Sequence, residues 1–112
     1  MDENAKIRVL IAEDDSIQND LLKDALEMEA DLACCGQAYD GLETLAKLQT
    51  EQPDVLLLDI VMPNMDGVDL LNELRENPPP KRPKVIAISA YGQEHIARAA
   101  LAQGADWFLL KP

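Results

Sequence analysis

Residues 55 to 67 read VLLLDIVMPNMDG. Val55 to Leu58 make a short continuous apolar run of the kind that forms a strand buried on both faces. Asp59 follows at once, and an unpaired carboxylate inside a core is among the costliest groups a fold can hold. The strand therefore has to end at Asp59, with other groups arriving to meet its charge. Ile60 to Met62 then lead into Pro63, Asn64 and the Asp66-Gly67 pair, a turn that enters a helix with Asp66 as its cap.

Outward from this stretch the same alternation repeats. β-rich runs occur at IRVLIAE (7–13), LACCGQA (32–38), VIAIS (85–89) and WFLL (107–110), separated by segments with helical spacing. Leu21, Leu22, Ala25, Leu26 and Met28 predict one face of a first helix from about Ser16 to Glu29. Leu42, Leu45, Ala46 and Leu48 predict a second, Val68, Leu70, Leu71 and Leu74 a third, and Ile96, Ala97, Ala100 and Leu101 a fourth. Asp15 or Ser16 is placed to cap the first helix and Asp40 the second. Gly104 falls where the fourth should end, and PPPKRP (78–83) excludes helix and central strand. Five strands alternating with four helices imply an α/β domain of parallel strands and helical crossovers, with helices on both faces of the sheet. In such open sheets functional groups gather at the carboxyl ends of the strands.

At 112 residues the chain makes one domain, spanning 1–112, with a core of its own. Charged residues are 28% of the total, and 21 acidic against 10 basic give a net charge of -11. That balance argues against a surface that grips nucleic acid or an anionic membrane. The apolar runs are too short to span a membrane, and MDENAKIRVL lacks the layout of a signal peptide, which points to the cytoplasm. Cys34 and Cys35 are neighbours in an apolar segment, where a bridge would strain the backbone and a metal would lack partners. They are expected to be reduced thiols.

The strand ends carry the chemistry. Strand one ends in Glu13-Asp14-Asp15, strand three in Asp59, strand four in Ser89 and strand five in Lys111. If strands one, three and four are neighbours, these groups share one rim. Carboxylates so close cannot all ionise cheaply unless a cation joins them. Oxygen donors without histidine or cysteine suit Mg²⁺, which takes one or two carboxylates and keeps room for water or phosphate oxygens. A carboxylate in that setting, with an ammonium and a hydroxyl opposite, can act as a nucleophile on phosphorus.

EDD at 13–15, LLLDIVMPNMDG at 56–67, VIAISA at 85–90 and LLKP at 109–112 together resemble the response-regulator receiver domains of two-component signalling. The resemblance covers residues 6 to 112. It implies a flavodoxin-like, five-stranded sheet in the order 2-1-3-4-5, with Asp59 as phosphoacceptor. It further implies Asp14 as a direct Mg²⁺ ligand, Glu13 acting through a metal-bound water, and the Val61 backbone carbonyl as a further ligand, with Mn²⁺ or Ca²⁺ as substitutes. Ser89 would hydrogen-bond the phosphoryl group, Lys111 would pair with it, and Phe108 would be the aromatic that turns inward when Ser89 moves. The partners implied are a histidine kinase or histidine phosphotransfer protein, a homodimer on phosphorylation, and DNA only through a C-terminal effector domain absent from this sequence. Within the family, GQAYDG (36–41) and SAYGQEHIARAALAQGADWFLLKP (89–112) are similar to the receivers of sporulation master regulators, where a phosphorelay feeds a DNA-binding effector.

The chain departs from the family pattern at its end. Receivers continue past the Lys-Pro pair into a fifth helix, so a truncation, or else an exchanged dimer, is expected, with apolar surface left bare on one side of the sheet. The resemblance also implies that Val61 and Tyr91 stand at the positions that tune acyl-phosphate hydrolysis, where apolar and bulky groups predict slow decay. Pro63 narrows the loop that presents Val61, and the resemblance favours a cis Lys111–Pro112 bond. His95 reads as a solvated residue; Trp107 and Tyr91 read equally as packing or as an interaction face. Two other functions are compatible with the fold. An aspartyl-nucleophile phosphohydrolase wants an aspartate at 61, and a flavin- or nucleotide-binding module wants a phosphate loop where this chain has EDDS.

Overall fold

The computed structural model describes residues 6–62, 65–90 and 94–111. Pro63, Tyr91 and the Lys111–Pro112 bond lie outside the described residues. The elements run β1 (Ile7–Ala12), α1 (Ser16–Glu27), β2 (Leu32–Ala38), α2 (Gly41–Glu51), β3 (Val55–Asp59), α3 (Gly67–Glu76), β4 (Lys84–Ser89), α4 (Glu94–Ala102) and β5 (Trp107–Leu110). The strands pair in parallel in the order 2-1-3-4-5. This is the flavodoxin-like arrangement that the motifs imply.

The caps fall where the sequence puts them. Asp15 accepts from the backbone N–H groups of Ile17 (2.9 Å) and Gln18 (3.1 Å), Asp40 from Glu43 (2.7 Å), and Asp66 from Asp69 (2.9 Å). Asp15 thus fills two of the donor vacancies at its helix start, and Asp40 and Asp66 one each. Gly104, just past α4, has φ +114, a conformation that favours glycine. Gly67 is required by space instead, since a Cβ there would lie 2.6 Å from the Ile60 Cα. Its N–H donates to the Ile60 carbonyl at 2.7 Å, which closes the loop after β3 onto the start of α3.

Register places alternate strand residues on opposite faces. Leu10, Leu56, Leu58, Val85 and Ala87 pack with Leu48 of α2, Leu70, Leu71 and Leu74 of α3, and Ala100 of α4 into one core. Those five strand residues are fully buried. The opposite face is thinner. Val9, Val55, Leu57 and Ile86 line an open apolar depression of about 170 Å³ together with Ile7, Leu26 and Leu32. On that same side Trp107 and Leu109 are exposed, so apolar surface stands bare among the described residues.

Helix α1 differs from its expected face. Leu21 and Met28 are exposed at 61% and 85%, and Ala25 is exposed as well. Leu22 and Leu26 are half-buried, and the fully buried position is Asn19. The apolar arc of α1 is wider than the strip that reaches the sheet, so spacing alone cannot choose which edge turns inward. The helix also stops at Glu27 rather than Glu29. β1 stops at Ala12 rather than Glu13, because its pairing with β3 ends at Ala12 and Leu58.

Strand β2 lies at the sheet edge and bulges at Cys35, since Val9 pairs with Cys34 and Leu10 with Gly36. An edge bulge discourages pairing with other chains. Both cysteines are free. Burial pushes both thiols above their ordinary pKa, which keeps them in the unreactive thiol form at neutral pH.

At the opposite end of the strands, Asp54 ties β1 to β3. It accepts from the Arg8 backbone N–H at 2.8 Å and from the Lys81 ammonium. These bonds hold its carboxyl below the usual range. A carboxyl depressed on folding adds stability above its unfolded pKa and loses it as pH falls through the folded one. Asp54→Asn is therefore expected to flatten the acid limb of the stability curve below pH ~4, measured by urea titration at several pH values.

Candidate functional site

The carboxyl ends of β1, β3, β4 and β5 enclose a pocket of about 240 Å³. Glu13, Asp14, Asp59, Val61, Ser89 and Lys111 all line it, which brings together six of the seven residues singled out from the sequence. Phe108 stands apart. It is half-buried on β5 in register with Ala87 and packs against the core behind the pocket.

Each side chain arrives by a definable route. Glu13 is the first residue beyond β1, and its N–H donates to the Ala38 carbonyl at 3.0 Å. Its side chain is fully buried, accepts from Lys111, and receives the Asp15 N–H at 3.3 Å. Asp59 ends β3 and is 4% exposed. One of its oxygens accepts from the Val61 N–H at 3.1 Å and the other from Lys111 Nζ at 2.9 Å. Lys111 follows β5, where its backbone N–H donates to the Ser89 carbonyl at 2.9 Å. The same bond holds Ser89, fully buried at the end of β4, beside it.

Lys111 pairs directly with two of the three acids, Glu13 and Asp59. Burial by itself pulls the Lys111 pKa down. The hydrogen bonds and charges of Glu13 and Asp59 outweigh it and leave the ammonium above its ordinary 10.5. Asp14, though its outer edge is open to solvent, has its carboxyl pushed up by partial desolvation and then by Glu13. Oxygens of Glu13, Asp14 and Asp59 lie within 4.8 Å of one another. A cluster of hard oxygen donors with one acid held up in pKa fits a divalent cation such as Mg²⁺, and nothing in it fits a soft metal.

Asn19 was not among the residues singled out, and the structure puts it directly behind the pocket. Its side-chain amide donates to the carbonyls of Glu13 (2.9 Å) and Ala38 (3.1 Å), and its oxygen accepts from Gln37 at 2.8 Å. A signal existed in its spacing: Asn19 lies three residues before Leu22 and seven before Leu26, on the strip that faces the sheet. Gln18 and Asp15 complete the rim on the α1 side. His95 is exposed on α4, consistent with a solvated residue.

The relatives agree with the geometry. Residues 9–112 match the response regulator receiver domain family. The response regulator domain of CheB from Thermotoga maritima is 35% identical with a TM-score of 0.85, over 96% of this chain and 79% of that one. The signal receiver domain of the putative response regulator NarL from Mycobacterium tuberculosis is 35% identical with a TM-score of 0.87, over 95% and 84%. A chain of the CheX-CheY-BeF3-Mg complex from Borrelia burgdorferi is 32% identical with a TM-score of 0.85, over 96% and 80%. Receiver domains are phosphorylation-regulated signalling domains, regulatory phosphoacceptors that bind Mg²⁺ at an acidic pocket and work with histidine kinases or phosphotransfer proteins. With the strand order, the acidic pocket and the match over residues 9–112 in agreement, this chain belongs to the response regulator receiver domain family.

Proposed function

We propose that this domain is a phosphorylation-dependent switch in which Asp59 takes a phosphoryl group from a phosphohistidine donor. The observation that carries the reading is the meeting of Asp59, Glu13 and Asp14 with Lys111 in one pocket. A carboxylate oxygen of Asp59 attacks phosphorus, an acyl phosphate forms, the P–N bond breaks, and the imidazole nitrogen takes up a proton. The Val61 N–H holds one Asp59 oxygen and so orients the other toward the donor. Lys111, released from Asp59, pairs with the transferred phosphoryl oxygens, and the Ser89 hydroxyl donates to one of them. Asp14, Asp59 and the Val61 carbonyl would hold Mg²⁺, with Glu13 acting through water; the ion supplies neutralisation of phosphoryl charge. The Borrelia relative, solved with BeF3 and Mg²⁺, supports the same ion for this chain.

Once Ser89 is drawn to the phosphoryl group, Phe108 behind it turns inward, and the β4–β5 surface changes with it. The partners that fit are a histidine kinase or phosphotransfer protein, with homodimerisation on phosphorylation as one output. The finer reading, a sporulation-type regulator acting on DNA through a separate effector domain in the cytoplasm, is supported by the sequence motifs. Among the described residues no helix is long and apolar enough to cross a membrane. A hydrolase would place an acid at position 61. The Val61 side chain, half-exposed at the rim, has no proton to give and shields phosphorus from water.

The test is incubation of the chain with Mg²⁺ and a small acyl-phosphate donor, followed by intact mass. One added phosphoryl group is expected, and repeated turnover of a phosphate ester without it would favour the hydrolase. The adduct is expected to outlast seconds, and Val61→Asp, which invites water, is expected to shorten its life about tenfold.

A further inference from the structure

We infer that Asn19 is a positioning residue for the acidic pocket, its buried carboxamide holding the Glu13–Asp14 backbone in the shape that lets both carboxylates meet one cation. The inference deepens the phosphoacceptor reading and rests on it. Asparagine is a poor residue for a helix interior and an expensive one to bury. Packing does not ask for it, since its neighbours on the same strip of α1, Leu22 and Leu26, are apolar. All three of its side-chain bonds go instead to the ends of β1 and β2: Glu13 O, Ala38 O and the Gln37 side chain.

The position of Glu13 explains what those bonds do. Glu13 lies one residue past the β1 ladder, and its N–H is held by Ala38. Asn19 holds its carbonyl, so the residue is fixed on both sides of its Cα and Asp14 leaves in a set direction. Without that hold, the two carboxylates can relieve their repulsion by turning the peptide between them. Gln37 is itself anchored, donating to Asp20 at 2.9 Å while its backbone carbonyl accepts from Lys47 of α2. The brace behind the pocket therefore extends from α1 across the β2 edge to α2.

The test measures Mn²⁺ affinity from the free-ion electron paramagnetic resonance signal, independently of phosphorylation. Asn19→Ala is expected to weaken binding about tenfold or more, the range for residues that orient metal ligands. Val85→Ala, a core truncation at the far end of β4, is expected to lose stability while keeping wild-type affinity. A folded Asn19→Ala protein that binds Mn²⁺ like wild type overturns the inference and leaves the phosphoacceptor reading standing. Should Asn19→Ala not fold, Gln37→Ala on a half-buried side chain decides the matter: about threefold weaker binding supports the brace, and unchanged affinity refutes it. A wild-type chain that binds no Mn²⁺ overturns the phosphoacceptor reading and this inference together.

Discussion

Asp59→Asn is expected to abolish phosphoryl incorporation altogether while leaving the domain folded. The carboxamide keeps the shape of the side chain and can still accept the Val61 N–H, which wild-type Asp59 accepts at 3.1 Å. It lacks the negative charge that makes a carboxylate oxygen nucleophilic enough to attack phosphorus. Folding should tolerate the change, because removing one acid from a cluster of three relieves repulsion, and Lys111 retains Glu13. Intact mass after donor treatment reads the first effect and circular dichroism the second. A variant that still gained a phosphoryl group would move the nucleophile elsewhere, with Asp14, the solvent-exposed acid of the same cluster, the first candidate.

Lys111→Met is expected to lower stability at neutral pH without metal by about 3 kcal/mol, the usual cost of leaving one side of a buried ion pair uncompensated. Glu13 is fully buried and Lys111 has only 12% of its side chain exposed, so water cannot substitute well for the ammonium. Methionine keeps the stem, which isolates the charge. The pH dependence gives a second check. The Lys111 pKa is raised on folding, so its contribution is complete below its ordinary 10.5 and lost as pH rises through the higher folded value. The gap between wild type and variant should therefore close at strongly alkaline pH. It should also narrow when Mg²⁺ is added, because a cation then meets the same carboxylates. Equal stabilities at pH 7 in chelator would show that the ion pair contributes nothing. On the proposed mechanism, in which Lys111 pairs with the phosphoryl oxygens, transfer in the variant is expected to fall about 10²-fold or more.

Much of this was legible in the chain itself. VLLLD ends in a carboxylate, and the cost of burying an unpaired carboxylate places one that ends an apolar strand at the rim of the sheet. Asp40, Asp66 and Gly104 announce helix ends through local hydrogen-bonding and backbone rules that need no tertiary context. The errors were also local in origin. IRVLIAE reads as one β-rich run through Glu13, although the ladder with β3 ends at Ala12. Leu21 and Met28 looked like core because they are apolar at helical spacing, although α1 presents Asn19, Leu22 and Leu26 to the sheet.

By itself the sequence determined the number, type and order of the elements, and which polar residues stand at or just past the ends of β1, β3, β4 and β5, because both follow from interactions a few residues long. The meeting of Lys111 with Glu13 and Asp59 spans 98 and 52 residues, and no period or cap encodes it. Strand order and register decided it, and the resemblance, not spacing, implied that order. The rotation of α1 that buries Asn19, and the bulge that sets Cys35 out of register, were likewise settled only by packing. A helix with a broad apolar arc has several near-equal ways to lie on a sheet, and the polar bonds it makes there choose among them.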